Sequence, residues 1–392
     1  MIAGASARMA LAMTVTTRRN FLCTASAGTF AAFAARRSAF SATGGRQRVF
    51  IASSAPDGIL AYDWDPVTAV LTAAGVAAAV PKVAWLAFSH GNEYLYSASE
   101  LDTFNGKPSG EVASFRAARG ELKPLSARNS AGIGTCHLAV DKTGRMLVSA
   151  DYMGGSAASF RIEDGKLSEV AWSEHYTEHG PNPDRQEAAH AHFASFSPDN
   201  RFAYINDLGG DSIHIYRADA ATAQMTKAGF YRGAPGSGPR TLHFHPNGKT
   251  AYCMNEMAST VDVLDWHSSD GSLTLVKRIE LLPADYKGAT RGCDTVIPRD
   301  GRFVYFANRD DNFLYSFRAD TKTGLLTAMK RSNCGGKTPR NFTLDPTEHW
   351  MLVANQDSNL ISVFARDPKT GLLADEAKSS VAAEAPMRIL FL

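Results

Sequence analysis

Short apolar runs, each closed by small or polar residues, recur along the chain at a spacing near fifty residues. Aligned on their densest parts they read Val49-Phe50-Ile51-Ala52-Ser53, Leu95-Tyr96-Ser97-Ala98-Ser99, Leu147-Val148-Ser149-Ala150-Asp151, Ala203-Tyr204-Ile205-Asn206-Asp207, Ala251-Tyr252-Cys253-Met254-Asn255, Val304-Tyr305-Phe306-Ala307-Asn308 and Met351-Leu352-Val353-Ala354-Asn355. Counted from Phe50, the steps are 46, 52, 56, 48, 53 and 47 residues. Runs this short, rich in β-branched and aromatic residues and bounded by turn residues, predict strands. A second apolar strand and a tight turn precede them, as at Asp141 to Gly144, Pro246 to Gly248 and Asp345 to Glu348. A third strand and a closing turn follow, as in Val261-Asp262-Val263-Leu264 before Asp270-Gly271. Three or four strands per period of about fifty is the pattern of a propeller blade. Seven periods predict an all-β, seven-bladed β-propeller over residues 46–392.

The C-terminal Pro386-Met387-Arg388-Ile389-Leu390-Phe391 has the pattern of an innermost strand, like Pro339-Arg340-Asn341-Phe342-Thr343-Leu344. The repeat that begins near Phe50 lacks one. The last strand is therefore expected to complete the first blade, closing the ring and removing exposed edges.

In an antiparallel hairpin, the residue leading into the first strand and the residue leaving the second lie at the same end. With the first strand innermost, both face one mouth of the central channel. The leading positions are Ala84, Cys136, His192, Arg240, Cys293, Arg340 and Met387; the leaving positions are Ser54, Glu100, Tyr152, Leu208, Glu256, Arg309 and Gln356. Three arginines, two glutamates and a histidine would converge on a ring a few side chains wide. Such groups are seldom buried unless paired, so their convergence marks a candidate site. The structural alternative is an ion-pair network in which Glu256 meets Arg240 or Arg309 and ties adjacent blades.

The longest repeat carries a second concentration, from His175 through Glu178, His179, Asn182, Arg185, Gln186 and Glu187 to His190 and His192. Its extra length predicts a loop over the same mouth. His190-x-His192 suggests a metal, because alternate strand residues share a face, but no fixed carboxylate partner completes a ligand set. His137 fits either a core position or the rim. His214, His243 and His245 alternate along strands that are otherwise core and read as structural. No serine-hydrolase, nucleotide-phosphate or dinucleotide motif is present.

The composition, 44% hydrophobic and 20% charged, excludes bulk disorder and a polytopic membrane protein. A net charge of +2 gives no electrostatic footprint for nucleic acid. Five of the arginines lie in the first 45 residues, which hold no Asp or Glu. Thr16-Thr17-Arg18-Arg19-Asn20-Phe21-Leu22-Cys23, followed by an Ala-rich stretch from Thr24 to Ala35, reads as a twin-arginine export signal. Arg36 and Arg37 cut the apolar run short of the roughly 20 residues a membrane span needs, so no stable anchor is expected. Residues 1–45 are thus assigned to a signal and linker. The twin-arginine export machinery is the expected partner, and the periplasm or the exterior the expected location. Of the five cysteines, Cys23 falls in the signal; Cys136, Cys253, Cys293 and Cys334 sit in separate repeats and read as buried thiols, or at most one bridge.

Several blocks are specific enough to carry a family likeness. Gly238-Pro239-Arg240-Thr241-Leu242-His243-Phe244-His245-Pro246 through Asn255-Glu256, the run from Asn182-Pro183-Asp184-Arg185-Gln186-Glu187 to His190-Ala191-His192, Asp207-Leu208-Gly209-Gly210-Asp211 and Ala307-Asn308-Arg309 together resemble the seven-bladed lactonase family. That family includes propeller-type 6-phosphogluconolactonases and 3-carboxy-cis,cis-muconate cyclase, and the likeness covers residues 47–392. It implies that His192, Arg240, Arg309 and Glu256 form the catalytic set, with Arg185, Gln186, His190, His137, Tyr152, Arg340 and Gln356 as candidate substrate contacts. Lactone opening needs a base to activate water and positive groups to hold an oxyanion. His192 or Glu256 can serve as the base, and the arginines suit anion recognition. The implied substrate is a small anionic lactone or sugar acid, opened by hydrolysis or formed by cyclisation, with no metal or organic cofactor required. The alternative is a non-catalytic propeller that binds an anionic sugar or a protein partner.

Overall fold

The computed structural model describes residues 46–392; the proposed signal and linker lie outside them. These residues form seven four-stranded antiparallel sheets. Blade 1 has the strand order Pro386–Phe391, Gln47–Ser53, Ile59–Asp65, Val70–Ala78, so the C-terminal strand is its innermost member. The expected closure is therefore present, with Phe50 opposite Leu390 and Ile51 opposite Ile389. Blades 2 to 7 are simple meanders whose innermost strands are Val83–Phe88, Thr135–Val140, Ala191–Phe196, Pro239–Phe244, Gly292–Val296 and Pro339–Leu344.

The core is divided among the seams between blades. Successive residues of a strand point to opposite faces, so each second strand serves two seams. Tyr252 and Met254 pack against Val304 and Phe306 of the next blade, while Ala251 and Cys253 pack against Tyr204 and Ile213 of the previous one. The last seam joins Val49, Ile51 and Trp64 of blade 1 to Leu352, Ala354 and Val363 of blade 7. This explains why the second strands read as nearly continuous apolar runs: both faces are covered.

Blades are also tied by a repeated polar contact. The hydroxyls of Tyr204, Tyr252 and Tyr305 donate to the carbonyls of Gly271, Gly324 and Gly371 in the outer turn of the following blade, at 2.7–2.8 Å. Gly324 lies at φ +69°, and a Cβ there would sit 2.5 Å from Thr250 of the blade before, so the turn needs glycine for both reasons.

The innermost strands share an irregularity that positions the site. In every blade the register slips at the leading position: between Val83 and Trp85, Thr135 and His137, Ala191 and Phe193, Pro239 and Thr241, Gly292 and Thr295, Pro339 and Asn341, and, opposite Ala52/Ser53, across Met387. The unpaired residues are Ala84, Cys136, His192, Arg240, Cys293 with Asp294, Arg340 and Met387. A bulge of this kind frees one residue from the ladder and re-aims its side chain. The four cysteines of the described residues are buried free thiols.

Candidate active site

At one mouth of the channel a cavity of about 340 Å³ is lined by Glu100, Asp102, Gly134, Tyr152, Met153, Arg185, His192, Arg240, Glu256, Arg309 and Arg340. Six blades contribute; blade 1 does not. The bulges deliver His192, Arg240 and Arg340, and the ends of the second strands deliver Glu100, Tyr152, Glu256 and Arg309.

Glu256 is the electrostatic centre. It is 1% exposed, and its carboxylate accepts from Arg185 at 2.7 Å, Arg309 at 2.8 Å and Arg240. Burial alone would raise its pKa, but Arg309 and Arg240 hold it well below the usual carboxylate range. The two buried arginines respond in opposite directions. Against the lowering effect of burial, Arg240 is pushed up by the charge and hydrogen bond of Glu256 together with Cys293 and Asp294, and its Nε also donates to the Cys293 carbonyl at 3.0 Å. Arg309 is pushed down to about 10 by burial, Arg240 and Arg340 lowering it further against the incomplete compensation of the Glu256 charge. Its Nε has no partner, which is why it is the less satisfied of the pair. Both stay charged at neutral pH.

His192 lies against this network with Nε2 2.6 Å from Arg240 Nη1. Because a guanidinium only donates, Nε2 is the acceptor and the proton sits on Nδ1, which is buried and unpartnered. Burial and the Arg240 charge keep His192 neutral, its pKa well below the usual imidazole value.

Arg185 arrives from the long loop between blades 3 and 4. The Asn182 side chain accepts from the Asp184 and Arg185 amides at 3.0 and 3.1 Å, forming the turn that aims Arg185 at Glu256 and at the Tyr152 hydroxyl, 3.2 Å away. Gln186 is fully buried and does not face the cavity: its amide donates to Leu208 O at 2.9 Å and to Asp211 Oδ1 at 2.8 Å. Asp211 in turn accepts from the amides of Gly236 and Gly238, two residues before Arg240. Gln186 thus links the Arg185 loop to the Arg240 strand rather than contacting a ligand. His190 is likewise outside the lining. Its ring stacks on Tyr152 at 4.5 Å, and Nδ1 lies 3.0 Å from the Tyr152 carbonyl. The bulge at His192 breaks the strict alternation that would have put both histidines on one face. His175 and His179 are exposed and join neither, so the loop histidines do not assemble a metal site.

Gln356 opens a short 3-10 turn and does not line the cavity. His137 lies one layer deeper. Beneath the mouth the channel narrows to a void of about 20 Å³, room for roughly one water, walled by Trp85, His137, Phe193, Asp294, Met387 and the undersides of His192 and Arg240. His137 is sandwiched between Trp85 and Phe193, ring centroids 4.1 and 3.9 Å away. Arg388 lies over Trp85 at 4.2 Å. Asp294 accepts from Asn341 at 2.7 Å, and His243 and Arg388 hold it at about 2 against the effect of burial. Sequence reasoning missed Asp102, Met153 and this second layer. Plain alternation turns the residue after the leading position away from the channel, and only the bulge brings both inside.

The arrangement offers a buried carboxylate, a neutral imidazole and four guanidinium groups around an open space, a set able to bind an anion, polarise a carbonyl and accept a proton.

Comparison with known proteins agrees with this architecture. Residues 48–391 match the family model described as lactonase, 7-bladed beta-propeller. A 6-phosphogluconolactonase of Bacillus subtilis is 30% identical over 300 residues, covering 76% of this chain and 84% of that protein. A 6-phosphogluconolactonase of Formosa agariphila is 30% identical over 285 residues, 69% of this chain and 77% of its own length. Among solved structures, the periplasmic gluconolactonase of Pseudomonas aeruginosa superposes with a TM-score of 0.83 at 28% identity, covering 89% of this chain and 99% of that one. With the matched span reaching from the first strand of blade 1 to the strand that closes it, the chain belongs to the lactonase family of seven-bladed β-propellers.

Proposed function

We propose that this protein hydrolyses a small anionic lactone, such as that of a sugar acid, at the open mouth of the channel. The observation that carries the reading is the buried Glu256 carboxylate gripped by Arg185, Arg240 and Arg309 on the wall of an open cavity. In this reading Glu256 Oε1, which accepts only from the half-exposed Arg185, takes a proton from water. The resulting hydroxide adds to the lactone carbonyl carbon, and the Arg309 guanidinium, part of the cavity lining, holds the oxyanion. Collapse of the adduct breaks the ring C–O bond, and Glu256 returns the proton to the departing ring oxygen. His192 acts through Arg240: with Nε2 engaged and Nδ1 sealed from solvent, it orients the guanidinium rather than meeting water. Four lining arginines against Glu100, Asp102 and Glu256 leave a surplus positive charge for the acid group, with Arg340 the least committed, 3.8 Å from Glu100.

The names of the relatives support the reaction class, and the paired arginines at Arg18-Arg19 support action in the periplasm or outside the cell. The test is a panel of neutral and acidic sugar lactones assayed by acid release on signal-free protein. Glu256→Gln is expected to lower kcat/KM by at least about 100-fold while ligand binding persists. Undiminished turnover in that variant overturns the mechanism, and ligand binding without turnover in the native protein identifies a binding propeller instead.

A further inference from the structure

Outside the cavity, three side chains of metal-ligand type converge at blade 4. One ligand atom each from Glu178, Asp207 and His214 lies within 4.8 Å of the others. Glu178 is half-buried; Asp207 and His214 are buried. Asp207 Oδ1 accepts from the His190 amide at 2.7 Å, whereas Oδ2 has no partner although the residue is fully buried. The nearest imidazole atom, His214 Nε2, is 3.8 Å from that oxygen, beyond hydrogen-bond reach. His214 Nδ1 is also unpartnered, and Nε2 meets only Ser212 Oγ at 3.3 Å. Buried polar atoms left open in this way lack a partner the protein itself does not supply.

The spacing suits a shared ion. Ligands bound at about 2.0–2.2 Å to one metal stand roughly 3 to 4 Å apart, which matches the distance between His214 and Asp207. A protonated His214 bridging the two carboxylates would instead close to hydrogen-bond distance. Tyr176 stacks flat on the His214 ring, centroids 4.0 Å apart at 11°, and fixes its plane. Gly210 makes the approach of the carboxylates possible, since a Cβ there would sit 2.4 Å from Asp207 Oδ2 and 2.8 Å from Glu178 Cβ.

We propose that Glu178, Asp207 and His214 form a structural site for one divalent ion of intermediate hardness, Mn²⁺ or Zn²⁺. Two carboxylates and an imidazole favour such ions over Ca²⁺ and Mg²⁺, which prefer all-oxygen shells. The ion joins Glu178, near the start of the loop that carries Arg185, to Asp207, which holds His190 at the loop's end. It therefore fixes both ends of the segment without entering the chemistry.

The test strips the protein with a chelator and titrates it with manganese or zinc chloride, reading bound metal per chain after desalting and the melting temperature. One ion per chain is expected, with Tm raised by about 3 °C or more at saturation. Glu178→Gln and His214→Ala are expected to weaken binding at least about tenfold, while His175→Ala and His179→Ala, at exposed loop positions, leave it unchanged. Glu178 is half-exposed, so Glu178→Gln decides the matter even if His214→Ala fails to fold. Absence of a stoichiometric ion, binding that survives Glu178→Gln, or a preference for Ca²⁺ or Mg²⁺ overturns the proposal.

Discussion

Arg240 is tied on three sides, to Glu256, to His192 Nε2 and to the Cys293 carbonyl, so its position is set by the fold rather than by a ligand. Its removal takes away a fixed charge and releases both neighbours. Arg240→Ala is expected to lower kcat/KM by at least about 100-fold in the lactone assay; a change under about threefold would show that Arg240 is peripheral. The depressed pKa values of Glu256 and His192 have a direct consequence for pH dependence. Groups held below their ordinary values keep their basic forms as pH falls, so activity should persist below the pH of about 6.5 at which an ordinary histidine would protonate. A pH profile of kcat/KM whose acid limb falls at the ordinary histidine value would contradict this. Asp151 shifts the other way: burial lifts it to about 6 despite hydrogen bonds from Thr135 and Ser156. A raised folded-state value favours the native state fully at pH below the unfolded value and progressively less as pH climbs through 6. Asn255, Asn308 and Asn355 occupy the same position in other blades. Asp151→Asn should therefore melt higher relative to the native protein at pH 8 than at pH 5.

At the scale of the strand, the closing element does two jobs. Pro386–Phe391 covers the edge of Gln47–Ser53, supplies Met387 to the channel and lays Arg388 over Trp85, and its Ile389 amide donates to Asn341 Oδ1 of blade 7 at 3.0 Å. Termini usually tolerate trimming because little is packed against them. Here, deletion of the final eight residues exposes a bare strand edge and opens the channel wall. The expected result is aggregation or a loss of more than about 10 °C in Tm; unchanged melting would refute the latch. The tyrosine ties between blades make a smaller claim. Tyr252→Phe leaves the Gly324 carbonyl without its donor and should cost about 1–2 kcal/mol in denaturant unfolding.

Across the whole molecule, the export proposed for the N-terminal segment is tested apart from the chemistry proposed for the propeller. Arg18→Lys together with Arg19→Lys should retain the protein in the cytoplasm without altering turnover of the signal-free form, as cell fractionation would reveal. The sequence by itself determined the ring. Seven strand repeats, turn chemistry and an unmatched terminal strand are local, periodic signals, and blades that must bury both faces close in one way. It also brought Glu256, Arg240, Arg309 and His192 to one mouth, because hairpin geometry places the ends of adjacent strands together. Only the tertiary structure decided what those residues touch. The bulge at each leading position depends on how seven strands crowd around a common axis; it separates His190 from His192 and brings His137 and Asp294 into the layer beneath the mouth. A register slip of one residue leaves no trace in hydrophobic periodicity, yet it sets the direction of every side chain beside it.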